Sequence, residues 1–81
     1  MLEYQDLLLK MYDMIKPFTE EGFELCEETD LIEDLGLDSM NVINLLVMIE
    51  DNFDISIPLN ILPGIRTIKD LTEQLQQLLE G

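Results

Sequence analysis

The chain has 81 residues, with 18 Asp and Glu against four Lys and Arg, no His and one Cys, so its formal net charge is −14. This charge excludes binding to nucleic acid or to an anionic membrane surface, because both need clustered Lys and Arg. Since 47% of the residues are hydrophobic, the chain is too apolar for a disordered acidic tail. We therefore predict one compact acidic domain over residues 1–81 that favours cationic partners.

The missing residue types narrow the chemistry. Without His, the chain lacks the commonest general base and neutral metal ligand, and Cys26 alone forms neither an internal disulfide nor a thiolate metal site. We interpret Cys26 as a small, partly buried hydrophobe, because the neighbouring acids disfavour a thiolate. No basic leader and no long apolar run is visible. We expect a cytoplasmic protein without a metal site that is not an autonomous enzyme.

The first predicted element is an amphipathic helix that ends before Pro17. Its apolar residues recur at intervals of three and four, which places them on one helical face. They are Tyr4, Leu8, Met11, Tyr12 and Ile15. Pro17 stops the helix, because proline lacks a backbone donor and biases Lys16 away from helical geometry.

Residues 17–38 show no sustained period and hold nine acids without one base. Twenty residues without structure of their own are unusual in a compact domain, so we expect an ordered loop over the core. The apolar residues expected to pack there are Phe18, Phe23, Leu25, Leu31, Ile32, Leu35 and Leu37. A short helical turn is predicted near residues 30–35.

A second helix is predicted over residues 39–51, with Asp38 as its N-cap. Apolar residues surround it almost completely between residues 40 and 49, so it is either mostly buried or offers a spare apolar side to a partner. Phe53, Ile55 and Ile57 alternate with polar residues until Pro58, and we interpret them as a packed loop that adds to the core and to a cleft.

The last predicted helix begins at a capping box formed by Thr67 and Asp70. Pro63 and Gly64 mark a turn, so any helix over residues 59–62 is a single turn. The predicted fold class is all-α: a small bundle of three to four helices with a long ordered loop between the first two main helices.

Residues 34–40, with the sequence Asp-Leu-Gly-Leu-Asp-Ser-Met, resemble the acyl carrier protein family, which includes peptidyl and aminoacyl carriers. The resemblance continues through residues 49–58 and 67–71 and covers about residues 30–79. It implies a bundle of acyl-carrier type and a carrier rather than an enzyme. In the family, a phosphopantetheinyl transferase moves 4′-phosphopantetheine from coenzyme A to the serine that corresponds to Ser39, and the thiol of that group holds a thioester.

The residues around Ser39 agree with this resemblance. A serine that directly follows an N-cap lies at the start of a helix, where free amides and the helix dipole favour a phosphate. Asp38 is interpreted as the cap and as an orienting residue for the transferase. Gly36 gives the backbone a permissive conformation, at positive φ. Met40 packs beneath the prosthetic arm, contacts partner enzymes, or only fills space.

The candidate partner-binding residues lie on the second helix and in the loop before it. They are Met40, Ile43, Asn44, Val47, Glu33 and Asp34. The family resemblance implies three kinds of partner: the transferase, an acyl- or aminoacyl-loading enzyme, and a downstream acyltransferase, synthase or oxidising enzyme. We expect the protein to be a monomer.

Neutral side chains at Asn41 and Asn44 bear on the pathway, because fatty-acid carriers typically have acids on this side of the helix. They favour a stand-alone carrier of polyketide, nonribosomal peptide or hybrid biosynthesis over a housekeeping fatty-acid carrier, with acyl or aminoacyl loading left open. Two other functions compete. A Ca²⁺-responsive module is disfavoured because Ile32 interrupts the ligand spacing. An unmodified helical adaptor would bind partners through its apolar helix.

Overall fold

The computed structural model describes residues 3–80 and has the predicted all-α architecture. Its three α-helices are α1 (Tyr4–Ile15), α2 (Ser39–Phe53) and α3 (Ile68–Glu80). A 3₁₀ turn, Lys16–Phe18, follows α1, and a six-residue 3₁₀ helix, Leu59–Gly64, lies between α2 and α3. The second is longer than the single turn predicted over residues 59–62, because it continues through Pro63 and Gly64. Within residues 3–80 the extended backbone forms no strand, and a single bridge pairs Asp30 with Thr67.

One hydrophobic core joins the three helices and the loops between them. Helix α1 contacts both α2 and α3. The fully or nearly fully buried apolar residues are Leu7, Leu8, Met11, Ile15, Leu31, Leu37, Val42, Leu45, Leu46, Ile49, Ile57, Ile65, Ile68, Leu71 and Leu75. Because every helix contributes to this cluster, none of them has an independent core.

Helix α1 ends at Ile15, and Pro17 lies in the 3₁₀ turn behind it, as the sequence predicts. Tyr4 is half-buried near the start of the helix, where its hydroxyl donates to the carboxylate of Glu27 in the long loop. Burial, and then the hydrogen bond to Glu27, raise the pKa of Tyr4 far above its ordinary value. The bond ties the first turn of α1 to the loop.

We expect the stability of the protein to fall with rising pH above about 10, the pKa of an unfolded tyrosine. The unfolded chain releases the Tyr4 proton there while the folded chain keeps it, so ionisation favours unfolding. Urea denaturation between about pH 8 and 11 measures the effect. The difference in free energy of unfolding between wild type and Tyr4→Phe should narrow as pH rises. A difference that stays constant with pH would contradict this prediction.

Helix α2 has one buried face and one exposed face. Val42, Leu45, Leu46 and Ile49 are buried against the core. On the opposite side Met40 is 67% exposed and Val47 is 47% exposed. The sequence left open whether this helix is mostly buried or offers an apolar side to a partner. The structure shows a helix with an exposed apolar side.

The long loop is fastened to the start of α3 by three backbone hydrogen bonds. The amide of Leu31 donates to the carbonyl of Arg66 at 2.8 Å. Ile68 donates to Thr29 at 3.1 Å, and the Lys69 amide donates to the carbonyl of Glu27 at 3.0 Å. The last two bonds satisfy amides in the first turn of α3 that have no acceptor within the helix.

Asp30 organises the turns that precede α2. Its carboxylate accepts from the amides of Ile32 at 2.9 Å and Glu33 at 2.8 Å and pairs with Arg66 at 3.4 Å. The amides of Glu33 and Ile32, together with the guanidinium of Arg66, hold the pKa of Asp30 below its ordinary value. Residues 31–35 form consecutive turns. The amides of Asp34 and Gly36 each donate to the carbonyl four residues earlier at 3.0 Å, so the predicted helical turn is present as hydrogen-bonded turns and not as a continuous helix.

The loop packs on the core only in part. Leu31 and Leu37 are buried, whereas Phe23 is 42% exposed and Ile32 is 55% exposed. The prediction that Cys26 is partly buried is wrong, because this residue is exposed. Its thiol lies 3.3 Å from the hydroxyl of Thr29, which is buried, so Cys26 lies at the outer side of this turn.

The capping box at the start of α3 is confirmed. The Thr67 amide donates to the Asp70 carboxylate at 3.2 Å, and the Asp70 amide donates to the Thr67 hydroxyl at 3.1 Å. Ile55 and Ile57 lie in a packed loop, as predicted, with Ile57 buried. Phe53 was also assigned to this loop, but it is the last residue of α2, which extends two residues beyond the predicted end at Asp51. None of the helices within residues 3–80 is long and apolar enough to cross a bilayer.

Candidate functional site

Ser39 is the first residue of α2 and is exposed, directly after the N-cap Asp38. The backbone of Asp38 is extended, with φ −93° and ψ 178°, and its carboxylate accepts from the Asn41 amide at 2.8 Å. The amides of Ser39 and Met40 occupy the helical positions that have no acceptor within the helix. The predicted cap is therefore present, and it leaves two amides at the helix end beside the Ser39 hydroxyl.

This helix end fits a phosphate ester. An exposed hydroxyl offers a point of attachment, and the two amides and the positive end of the dipole favour negative charge. The chain contains no His, the commonest base that activates a serine. The site can thus hold a phosphate-linked group. Across residues 3–80, no group of three or more Cys, Asp or Glu side chains is placed to hold a metal ion.

Gly36 turns the chain towards the start of α2, and it has the predicted positive φ, +69°. Its amide donates to the carbonyl of Ile32 at 3.0 Å, and the Leu37 amide donates to Leu31 at 3.1 Å. The turn buries Leu37 and leaves Asp38 at the surface to cap the helix.

Replacing Gly36 by alanine is expected to lower the free energy of unfolding by about 1 kcal/mol, because a side chain disfavours left-handed backbone. A Cβ at this position would meet no atom within 4 Å, so the cost is one of backbone conformation. Gly64→Ala is the matched control, since Gly64 also has open space around it but no positive φ. Equal urea midpoints for the two variants would contradict the prediction.

A small apolar cleft of about 50 Å³ opens beside Ser39. It is lined by Leu31, Ile32, Ser39, Val42, Leu62 and Ile65. The residues predicted to contribute to a cleft, Phe53, Ile55 and Ile57, do not line this one. Sequence reasoning missed Ile32, Leu62 and Ile65 as neighbours of the serine, although their apolar character in irregular segments was visible.

The predicted partner-binding residues divide into two groups. Met40, Asn44 and Val47 share one exposed face of α2, and Ile43 lies half-buried at its edge. Met48, 37% exposed, extends this apolar face and was not predicted. Asn41 is half-buried, and its backbone amide donates to the carboxylate of Asp38.

Glu33 and Asp34 are exposed in the turns before the helix. The Asp34 carboxylate accepts from the Asp30 amide at 2.7 Å. Asp34 also lines a separate groove together with Phe18 and Phe23. Glu33 and Asp34 thus lie on a different part of the surface from the apolar face of α2.

Comparison with known proteins agrees with this geometry. Residues 19–75 match a family model described as a phosphopantetheine attachment site. The meromycolate extension acyl carrier protein of Mycolicibacterium aurum is 30% identical over 77 residues, which cover 94% of this chain and 79% of that protein. The acyl carrier protein of Syntrophobacter fumaroxidans is 40% identical over 48 residues, 59% of each chain. A probable acyl carrier protein of Caulobacter vibrioides is 38% identical over 55 residues, 68% of this chain and 64% of that one.

The matched region contains the start of α2, the turns before it and the cleft beside it. It spans more than half of the chain, and the relatives that it resembles are named as carriers rather than as enzymes. The chain therefore belongs to the acyl carrier protein family, whose domain is the attachment site for 4′-phosphopantetheine.

Proposed function

We propose that the Ser39 hydroxyl carries 4′-phosphopantetheine, donated by coenzyme A, and that the protein passes a thioester-bound intermediate between enzymes. One observation carries this proposal: Ser39 is exposed at the start of α2, within the region that matches the attachment-site family. The only other serine, Ser56, lies in the loop after α2 and not at the start of an α-helix.

The residues around Ser39 have separate roles in this proposal. Asp38 caps the Asn41 amide, which fixes the first turn, and it orients the helix end for the transferase. The amides of Ser39 and Met40 stabilise the phosphate. When bound, phosphopantetheine supplies the thiol that holds the cargo as a thioester. Gly36 sets the turn that brings Asp38 and Ser39 to the surface.

Incubation of the purified protein with coenzyme A and a promiscuous phosphopantetheinyl transferase tests the proposal. We expect the intact mass to increase by one phosphopantetheine group, and peptide mapping should place the group on Ser39. An unchanged mass, with a known carrier modified in the same reaction, would favour the unmodified adaptor instead.

Partner enzymes are proposed to bind the exposed face of α2 that contains Met40, Ile43, Asn44 and Val47. This face is largely apolar, so binding there gains from burial of hydrophobic area. Glu33 and Asp34 lie in the preceding loop, where their charge speeds association with basic surfaces more than it tightens binding.

Two pathway classes are candidates. The neutral Asn41 and Asn44 favour a specialised polyketide, nonribosomal peptide or hybrid pathway, with an acyl or an aminoacyl cargo. The names of the mycobacterial relatives favour acyl-chain extension instead. Intact-protein mass spectrometry from the native host, with the cargo attached, separates them. A long saturated acyl group would exclude the specialised pathway, and an amino acid or a polyketide intermediate would exclude chain extension.

A further inference from the structure

A groove of about 460 Å³ lies where the 3₁₀ turn after α1 meets the turns before α2. Its lining includes Pro17, Phe18, Glu20, Phe23, Asp34 and Leu35. It shares no lining residue with the cleft beside Ser39. The groove is thus a feature of the surface in its own right, and the attachment of a prosthetic group does not account for it.

Phe23 is the central side chain of this region. It lines the groove and also a second hollow of about 230 Å³ beside Tyr12 and Lys16, so its ring forms a wall common to both. The ring is 42% exposed, and it does not belong to the hydrophobic core. Gly22, at φ +88°, and the bond from the Phe23 amide to the Glu20 carbonyl at 3.1 Å hold it in this position.

The groove combines aromatic rings with negative charge. Glu20 and Asp34 contribute carboxylates, and no Lys or Arg lines this groove. Asp34 uses Oδ2 to accept from the Asp30 amide, so Oδ1 remains for another donor. An isolated acidic surface would attract any cation, but a ring beside two carboxylates discriminates between cations by shape.

A guanidinium group matches this combination. It is planar, so it stacks on an aromatic face, and its five donors reach carboxylates in a fixed geometry that an ammonium group lacks. We propose that the groove binds an arginine side chain on a segment of a partner protein. Apolar neighbours of that arginine would cover Pro17, Phe18 and Leu35. The proposal rests on the proposed function in one respect, that the partner is an enzyme that handles the thioester.

Binding at this groove has a consequence for the attachment site. Because the groove and the Ser39 cleft share no lining residue, an arginine side chain held in the groove does not occupy the cleft. The same partner can then remain bound at the groove while its active site reaches the Ser39 end of the helix.

The test uses ¹⁵N-labelled full-length protein with the Ser39→Ala substitution, so its outcome does not depend on modification of Ser39. The probes are two peptides of equal charge, acetyl-Leu-Arg-Leu-Arg-amide and acetyl-Leu-Lys-Leu-Lys-amide. We expect saturable shifts of the amides of Glu20, Phe23 and Leu35, with the arginine peptide bound at least about threefold more tightly. Equal affinity for the two peptides, or shifts confined to the α2 face, would overturn the proposal.

Variants of the same protein complete the test. Phe23→Ala is expected to weaken binding of the arginine peptide about threefold to fivefold, since the ring contributes stacking area and a cation–π interaction. Leu9→Ala is the matched control, because Leu9 is also exposed and apolar but lies on α1 and lines neither the groove nor the hollow beside it. Unchanged affinity in Phe23→Ala would contradict the proposal. Shifts at the groove that depend on protein concentration, without peptide, would assign it to a second copy of the chain and overturn it too.

Discussion

Replacement of Leu45 by alanine is expected to lower the free energy of unfolding by about 3–4 kcal/mol. Leu45 is fully buried on the inner face of α2, so truncation leaves a cavity that the three helices cannot fill without moving. A domain of this size has a free energy of unfolding of only about 5–10 kcal/mol, so the loss is a large share of its stability.

Urea denaturation followed by circular dichroism measures this loss. The matched control is Val47→Ala, half a turn away on the exposed face of the same helix, which should change stability by less than about 0.5 kcal/mol. If both variants unfolded at the same urea concentration, the assignment of the buried face of α2 would be incorrect.

Replacement of Ser39 by alanine is expected to abolish modification by the transferase while the fold remains. Ser39 is exposed, and its side chain accepts no capping bond, so its loss should change the free energy of unfolding by less than about 0.5 kcal/mol. The mass of the variant should stay constant during incubation with coenzyme A, whereas the wild type gains one phosphopantetheine group.

Ser56→Ala is the matched control for this experiment, because Ser39 and Ser56 are the only two serines of the chain and both are exposed. It should be modified as rapidly as the wild type. Modification of Ser39→Ala at the same rate would show that the group is attached to another residue, and it would remove the basis of the proposed function.

The helices follow from local signals in the sequence. Pro17 behind α1, Asp38 at the start of α2 and the capping box at Thr67 each act over a few residues, so their effect is visible in the chain itself. The positive φ of Gly36 was predictable for the same reason, since a turn must precede the cap.

The long loop was less predictable, because its conformation depends on contacts with distant residues. Asp30 forms its bridge with Thr67, more than thirty residues away, and nothing in the acid-rich sequence distinguishes Asp30 from its neighbours. The exposure of Phe23 and Ile32 is not visible either, because apolar residues in an irregular segment have no periodicity that assigns them to a face.

The backbone bonds of the long loop divide it into two parts. The Thr19 amide donates to the Lys16 carbonyl and the Phe23 amide to the Glu20 carbonyl, so the backbone bonds of this first part join near neighbours. Residues 27–31 are bonded to residues 66–69, so we expect the amide hydrogens of Leu31, Ile68 and Lys69 to exchange only when this contact breaks. We therefore expect insertions and substitutions near residues 20–24 to leave the start of α2 undisturbed. Along a lineage of related carriers, partner choice can diverge there while the helix that bears Ser39 keeps its geometry.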